Sequence, residues 1–101
     1  MNNKITKKIE KNSNIITIFY SKWCAYSIKA LELLEKKKIP YKGYIIDKYG
    51  INNILQYLKE DKEKLKFNIN HKTRPIIFNK SIFIGGYSDL VDKINKGIIK
   101  K

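Results

Sequence analysis

Apolar residues follow two rhythms along this chain, and the points where one rhythm gives way to the other mark out its elements. Ile15 to Tyr20 is an unbroken run of β-branched and aromatic side chains, the pattern of a buried strand. Ile28, Leu31 and Leu34, more loosely joined by Ala30, then recur at helical spacing, which predicts a helix from about Cys24 to Lys37 with those residues facing inward. That helix has to end before Ile39-Pro40, because proline disfavours a helical residue in front of it. Tyr41 to Ile46 reads as a second strand, and Asp47 to Gly50 as a turn. Ile51, Ile54, Leu55, Leu58 and Leu65 restore the helical period and predict a second long helix from Ile51 to about Leu65. Phe67 to Lys72 has no period and reads as a loop. Ile76-Ile77-Phe78 and Ser81-Ile82-Phe83-Ile84 predict two short strands joined across Asn79-Lys80. Gly85-Gly86 breaks the second of these, and Leu90, Val91 and Ile94 predict a last helix from Ser88 to about Lys96, with Gly97 as its stop. Upstream, Ile5 and Ile9 would share one face of a short helix from Ile5 to about Lys11, and Asn12-Ser13-Asn14 separates that segment from the first strand.

Two strands joined through a helix point to a parallel pair with a right-handed crossover, and the hairpin adds antiparallel strands. The expectation is an α/β fold with a four-stranded mixed β-sheet flanked by helices. A length of 101 residues suits one domain, 1–101, with 1–13 an N-terminal extension or short helix and 98–101 a basic tail.

Composition changes this picture in two places. The formal charge of +13 invites a nucleic-acid reading, but 22 basic residues are spread throughout and all except Arg74 are lysine, with no basic face carrying interleaved aromatics and no known reading motif. No nucleic-acid partner is expected, and the charge should instead attract small anions. A single cysteine cannot form an internal disulfide and suits a reducing compartment. The first residues are rich in Lys and Asn without the apolar core of a secretory signal, and no apolar run approaches membrane-spanning length. A cytoplasmic location without membrane attachment is expected.

That cysteine is the candidate for chemistry. Cys24 falls where a strand passes into a helix, so its thiol would face unpaired backbone N–H groups and the positive end of the helix dipole. Both favour the thiolate, which is the nucleophile. The competing reading is a small buried apolar cysteine with no reactivity.

Three separated signatures add to this. Lys22-Trp23-Cys24-Ala25-Tyr26-Ser27 after a strand, Thr73-Arg74-Pro75 before a strand and Gly85-Gly86-Tyr87-Ser88-Asp89 before the last helix together resemble a glutaredoxin, over about Ile15 to Gly97. The resemblance implies the thioredoxin fold, glutathione as cofactor and thiol–disulfide exchange. By resemblance, Cys24 is the catalytic residue, Lys22 is the basic residue near the thiolate and the glycine carboxylate of glutathione, and Tyr26 packs against bound glutathione. Pro75 matches the family's cis-proline, and Arg74 before it, where valine is common, would pair through its backbone with the cysteine moiety of glutathione. Thr73 completes that signature. The backbone near Gly86 and Ser88 and the side chain of Asp89 would hold the γ-glutamyl end, while also capping their helix. Gln56 and Lys59 are candidates for a further contact to the glycine carboxylate. His71 reads as a solvated residue rather than a base.

Ser27 departs from the dithiol members of the family, which carry a second cysteine at that position. A serine hydroxyl cannot close a disulfide, but it can donate a hydrogen bond to the Cys24 thiolate. The expected function is therefore reduction of glutathione mixed disulfides, on proteins or small molecules, by a monothiol mechanism in a monomer. The alternative is an iron–sulfur cluster held between two chains by Cys24 and glutathione; apart from that alternative, no metal is expected. Ala25 and Tyr26 resemble the enzymatic branch of the family rather than its iron-handling C-G-F-S branch.

Overall fold

Four strands, β1 (Ile16–Tyr20), β2 (Tyr41–Ile45), β3 (Ile76–Asn79) and β4 (Ile82–Gly85), form one sheet in the order β2-β1-β3-β4. The pair β1–β2 is parallel, whereas β1–β3 and β3–β4 are antiparallel, as the element order predicts. The computed structural model describes residues 3–100; Met1, Asn2 and Lys101, the outermost residues of the predicted extension and tail, lie outside the described residues.

Five α-helices cover the sheet: α1 (Lys4–Lys11), α2 (Ala25–Lys36), α3 (Ile51–Glu60), α4 (Lys62–Leu65) and α5 (Tyr87–Asn95). Side chains alternate along each strand, so β1 feeds two cores at once. Phe19 joins Ile5, Ile9, Ile54, Leu58 and Phe78 under α1 and α3. Ile16 and Ile18 join Ala30, Leu34, Ile77 and Leu90 under α2 and α5. Residues 16–19 are consequently buried on both faces of the sheet, which explains the continuous apolar run. Ile99 is also buried in the second core, so the basic end of the chain is tied down there.

The structure corrects four details of the sequence reading. The inward stripe of α2 is Ser27, Ala30 and Leu34, whereas Ile28 is 43% exposed. Periodicity locates a helix without fixing its rotation, and here small side chains at 27 and 30 suit a helix lying close on the sheet. Tyr41 to Ile46 ends as a strand at Ile45, because Ile46–Lys48 turn into a short 3-10 helix that drops Ile46 into the first core. The expected helix over 51–65 breaks at Asp61, whose carboxylate accepts hydrogen bonds from Asn3 Nδ2 and the Thr6 hydroxyl at the start of α1. The β3–β4 turn is Lys80-Ser81 rather than Asn79-Lys80. This register sets Phe78 opposite Phe83, with the rings 5.6 Å apart and edge-on. It also forces positive φ on both turn residues, 51° at Lys80 and 71° at Ser81, the geometry of a turn that ordinarily takes Asn-Gly.

The lysines of α1 are not simply solvated. Lys4 lies over the rings of Tyr49 and Tyr57, and Lys8 over those of Tyr44 and Tyr49, at 5.3 to 5.9 Å from the centroids. Each such contact contributes about 0.5–1 kcal/mol at an exposed site.

Two substitutions test these energetics. Relieving the positive φ with Ser81→Gly should raise stability by about 1 kcal/mol in urea unfolding, with an unchanged denaturant slope. Thr17 is fully buried and its hydroxyl has no hydrogen-bond partner among the described residues. Thr17→Val should therefore stabilise the protein by about 1 kcal/mol in the same measurement, as an orphaned polar group is removed.

Candidate functional site

The candidate site begins where β1 ends. Ser21, buried at the mouth of the strand, donates its N–H to the Ser27 hydroxyl oxygen at 3.1 Å. Its own hydroxyl oxygen accepts from Trp23 N–H, and its carbonyl accepts from Cys24 N–H, each at 3.3 Å. These bonds fold 21–24 into a tight turn and deliver Cys24 to the N-cap of α2, with extended backbone (φ −105°, ψ 120°). Trp23 projects from the turn, 89% exposed.

The half-buried sulfur has two sets of partners, one for each protonation state. As a thiol it donates to the Arg74 carbonyl, 3.8 Å away, and makes no capping hydrogen bond. As a thiolate it is favoured by the backbone N–H groups of α2. Burial pushes the Cys24 pKa up, but the N–H groups of Ser27 and Tyr26, the Ser27 hydroxyl and the positive charge of Arg74 together outweigh it. The net effect holds the thiol below its ordinary range. Ser27 is fully buried beneath the sulfur, and since its oxygen accepts from Ser21 its own proton is free to donate to Cys24.

Arg74-Pro75 is a cis peptide bond, as the resemblance implies. Pro75 is buried, and its carbonyl accepts a hydrogen bond at 3.3 Å from Nε2 of His71, which fixes the proton on that nitrogen. His71 is half-buried, and its ring packs edge-on against Phe83 at 5.1 Å, so it is a support of the 71–75 loop rather than the solvated residue expected. On the far side, α5 starts at Tyr87, and the N–H of its N-cap Gly86 donates to Asp89 Oδ2 at 3.0 Å. Gly85 has φ 125°, and a side chain there would run into the Asp89 carboxylate, so only glycine leaves this cap intact.

Between these walls lies an open groove of about 430 Å³. His71, Thr73 and Arg74 line it from the segment before β3, Gly86, Tyr87, Ser88 and Asp89 from the start of α5, and Tyr26 from the first turn of α2. The fold thus brings Tyr26, Thr73, Arg74, Gly86, Ser88 and Asp89 together, with Pro75 and Ser27 behind them. Lys22 is exposed in the turn and does not line the groove; the charge acting on the sulfur is that of Arg74. Gln56 and Lys59 line a neighbouring groove of about 440 Å³ with Asn70 and Lys72.

Sequence reasoning missed two groove residues, His71 and Tyr87. The ring of Tyr87 lies 6.1 Å from that of Tyr26, so the two aromatic rings face the groove side by side from α5 and α2. Its place beside Ser88 in the Gly-Gly-Tyr-Ser-Asp stretch was a usable signal. His71 offered none, because its partner is a backbone carbonyl in an aperiodic loop. Among the described residues no group of three or more His, Cys, Asp or Glu could hold a metal ion, and no helix is long and apolar enough to cross a membrane.

The glutaredoxin family model matches residues 16–84. A probable glutaredoxin of Acanthamoeba polyphaga mimivirus is 40% identical over 75 residues, spanning 72% of this chain and 71% of the relative. Glutaredoxin-2 of Schizosaccharomyces pombe is 32% identical over 90 residues, spanning 89% and 76%. Among solved structures, a dithiolic glutaredoxin from Trypanosoma brucei brucei is similar at TM-score 0.70 and 28% identity, over 95% of this chain and 91% of that one. A buckwheat glutaredoxin–glutathione complex is similar in fold at TM-score 0.66 and 19% identity, over 96% and 88%.

The electrostatics of the sulfur can be read by alkylation. The rate of Cys24 carboxamidomethylation should rise with pH through a midpoint below that of a free cysteine, because the lowered pKa populates thiolate sooner. Ser27→Ala should move this midpoint upward. The same shift stabilises the fold at pH above the free-thiol pKa, and that contribution is lost as pH falls through the lower, folded value.

Proposed function

Because the chain belongs to the glutaredoxin family, thiol–disulfide oxidoreductases that use glutathione as co-substrate, we propose that it reduces glutathione mixed disulfides by a monothiol route through Cys24. The observation that carries this reading is the position of the chain's one cysteine, at the N-cap of α2, beside a groove whose opposite wall is the N-terminus of α5.

In the first step the Cys24 thiolate attacks the glutathione sulfur of a mixed disulfide. The bond between that sulfur and the substrate sulfur breaks, its electron pair leaves with the substrate as a thiolate, and a Cys24–glutathione disulfide remains. In the second, the thiolate of another glutathione attacks the glutathione sulfur held on Cys24, releasing oxidised glutathione and restoring the Cys24 thiolate. One free glutathione thiol is consumed and one substrate thiol is released, the other half of the oxidised glutathione having come from the mixed disulfide, so the exchange balances with one protein sulfur. Ser27 cannot compete for Cys24 as a second cysteine would.

The groove fits such a substrate. Its volume of about 430 Å³ falls within the roughly 300–1,000 Å³ usual for small-molecule sites. The first N–H groups of α5, at Tyr87 and Ser88, lack partners within the helix and suit the γ-glutamyl carboxylate, while Asp89, bonded to Gly86 through Oδ2, suits the ammonium. Tyr26 and Tyr87 flank the chain of the tripeptide. Thr73 sits at the rim, and the backbone of Arg74 beside the sulfur is available to the cysteine moiety. Lys22 adds to the positive field that draws an anionic substrate. The partners would be glutathione and glutathionylated proteins in a reducing compartment, the cytoplasm, with the protein acting as a monomer.

The test is a glutathione-dependent reductase assay on a glutathionylated peptide. Cys24→Ser should lose more than about a hundredfold in rate, as expected when a sole nucleophile is removed. Retention of activity would overturn the proposal, and a coloured dimer formed with iron, sulfide and glutathione would replace it with cluster binding.

A further inference from the structure

Among 22 basic side chains only one is arginine, and it stands at the sulfur. Arg74 O is the acceptor of Cys24 Sγ, and the Arg74 side chain lines the groove. Arginine and lysine are not equivalent in such a place. A guanidinium is weakly hydrated, stays charged when half-buried, and presents a planar fork that matches a carboxylate through two parallel hydrogen bonds. Arg74 is half-buried and its Nε is shielded from water, yet that nitrogen has no hydrogen-bond partner among the described residues. Asp89, the acid of the same groove, is bonded through Oδ2 to Gly86 N–H and makes no ion pair with Arg74 among the described residues. The groove therefore holds one cation whose own protein leaves a donor unsatisfied. Buried donors without an acceptor are uncommon, and at a site open to a ligand the missing acceptor is naturally the ligand's.

We propose that the Arg74 guanidinium is a specificity-determining group that grips a carboxylate of the substrate lying beside the disulfide, side-on through Nε and one terminal nitrogen. This rests on the glutathione-dependent reading above and goes beyond the backbone role of the residue preceding the cis-proline. Because Nε is shielded in this conformer, a side-on grip requires the Arg74 side chain to turn towards the groove. The carboxylate has two sources of the same chemistry, the glycine end of glutathione and an acidic residue next to the target cysteine. Lysine in this position would retain the charge and lose the fork.

The experiment compares wild type with Arg74→Gln and Arg74→Lys by kcat/KM on three pairs of substrates. The first pair is the mixed disulfide of glutathione with 2-mercaptoethanol, with its glycine carboxylate free or esterified. The second is a glutathionylated peptide with Asp beside the cysteine, and the third is the same peptide with Asn, each with free or esterified glycine. Loss of the Arg74 charge also raises the Cys24 pKa, but that acts on every substrate alike and cancels in the ratio within a pair. Arg74→Gln should cost roughly tenfold or more on substrates carrying the carboxylate it reads, and several-fold less on their neutral counterparts. Arg74→Lys should restore the part common to all substrates and leave the discrimination impaired. If discrimination collapses with the glycine ester, the glutathione carboxylate is the partner; if it collapses with Asn for Asp, the protein substrate supplies it. An equal loss across every substrate would overturn this inference alone, leaving Arg74 as a charge on the sulfur. Absence of wild-type turnover on all of them would overturn the parent reading and this one with it.

Discussion

A strand buried on both faces and paired along both edges has almost no freedom, so whatever follows it is placed accurately. β1 is that strand, with β2 on one side, β3 on the other and a separate core on each face. Its constraint passes directly to the sulfur through Ser21, whose hydroxyl and carbonyl bond within the turn that ends at Cys24 and whose N–H bonds to Ser27 in the helix beyond it. The reactive atom therefore inherits the rigidity of the sheet rather than the looseness of a surface loop. Because β3 pairs with β1, the 73–75 segment that enters it arrives at the same end of the sheet, and the β4 strand beside β3 delivers the start of α5 there as well.

How far this could be read from the residues depends on whether the deciding contact was local. The strands were legible because alternation and buried apolar runs are local, and the helices because their period is. Rotation of α2 was not, since Ile28 and Leu31 mark a face as well as Ser27 and Ala30 do until the sheet selects the smaller pair. The break at Asp61 depends on Asn3 and Thr6, more than fifty residues away in sequence. The hairpin turn lies one residue later than the pattern predicts, in a register that pairs Phe78 with Phe83 and places positive φ on two residues that are not glycine, a cross-strand contact the local pattern does not show. Of the site, the sulfur, the cis-proline and the α5 N-terminus were marked by motif. The Tyr26–Tyr87 pair and the His71 support needed the fold to bring them together.

Charge divides the surface in a way that composition conceals. Lysines dominate the total of +13, and two of them, Lys4 and Lys8, are laid against tyrosine rings on the α1 face, where their stems cover apolar surface and their heads stay wet. Such charges shape a diffuse field. The groove works by a different principle: one fixed cation, one carboxylate already bonded to a backbone N–H, and one helix terminus, at separate points along its length. On the proposed reading a ligand with charges at both ends would be oriented there by position, whereas the lysine field would only raise its concentration nearby.

The match to the family model runs from 16 to 84, and both of its borders pass through packed structure. α1 lies before the first border yet contributes Ile5 and Ile9, both fully buried, and α5 lies after the second yet contributes Leu90 and half of the groove. A fragment trimmed to the matched segment would keep α3 over one face and α2 over the other but lose α1 and α5, leaving each core, Phe19 and Phe78 in one and Ile18 and Ile77 in the other, without part of its cover. The smallest piece of this chain able to remain dissolved is therefore larger than the piece that identifies its kinship, and a boundary for expression belongs outside Asn3 and Ile99 rather than at the edge of the resemblance.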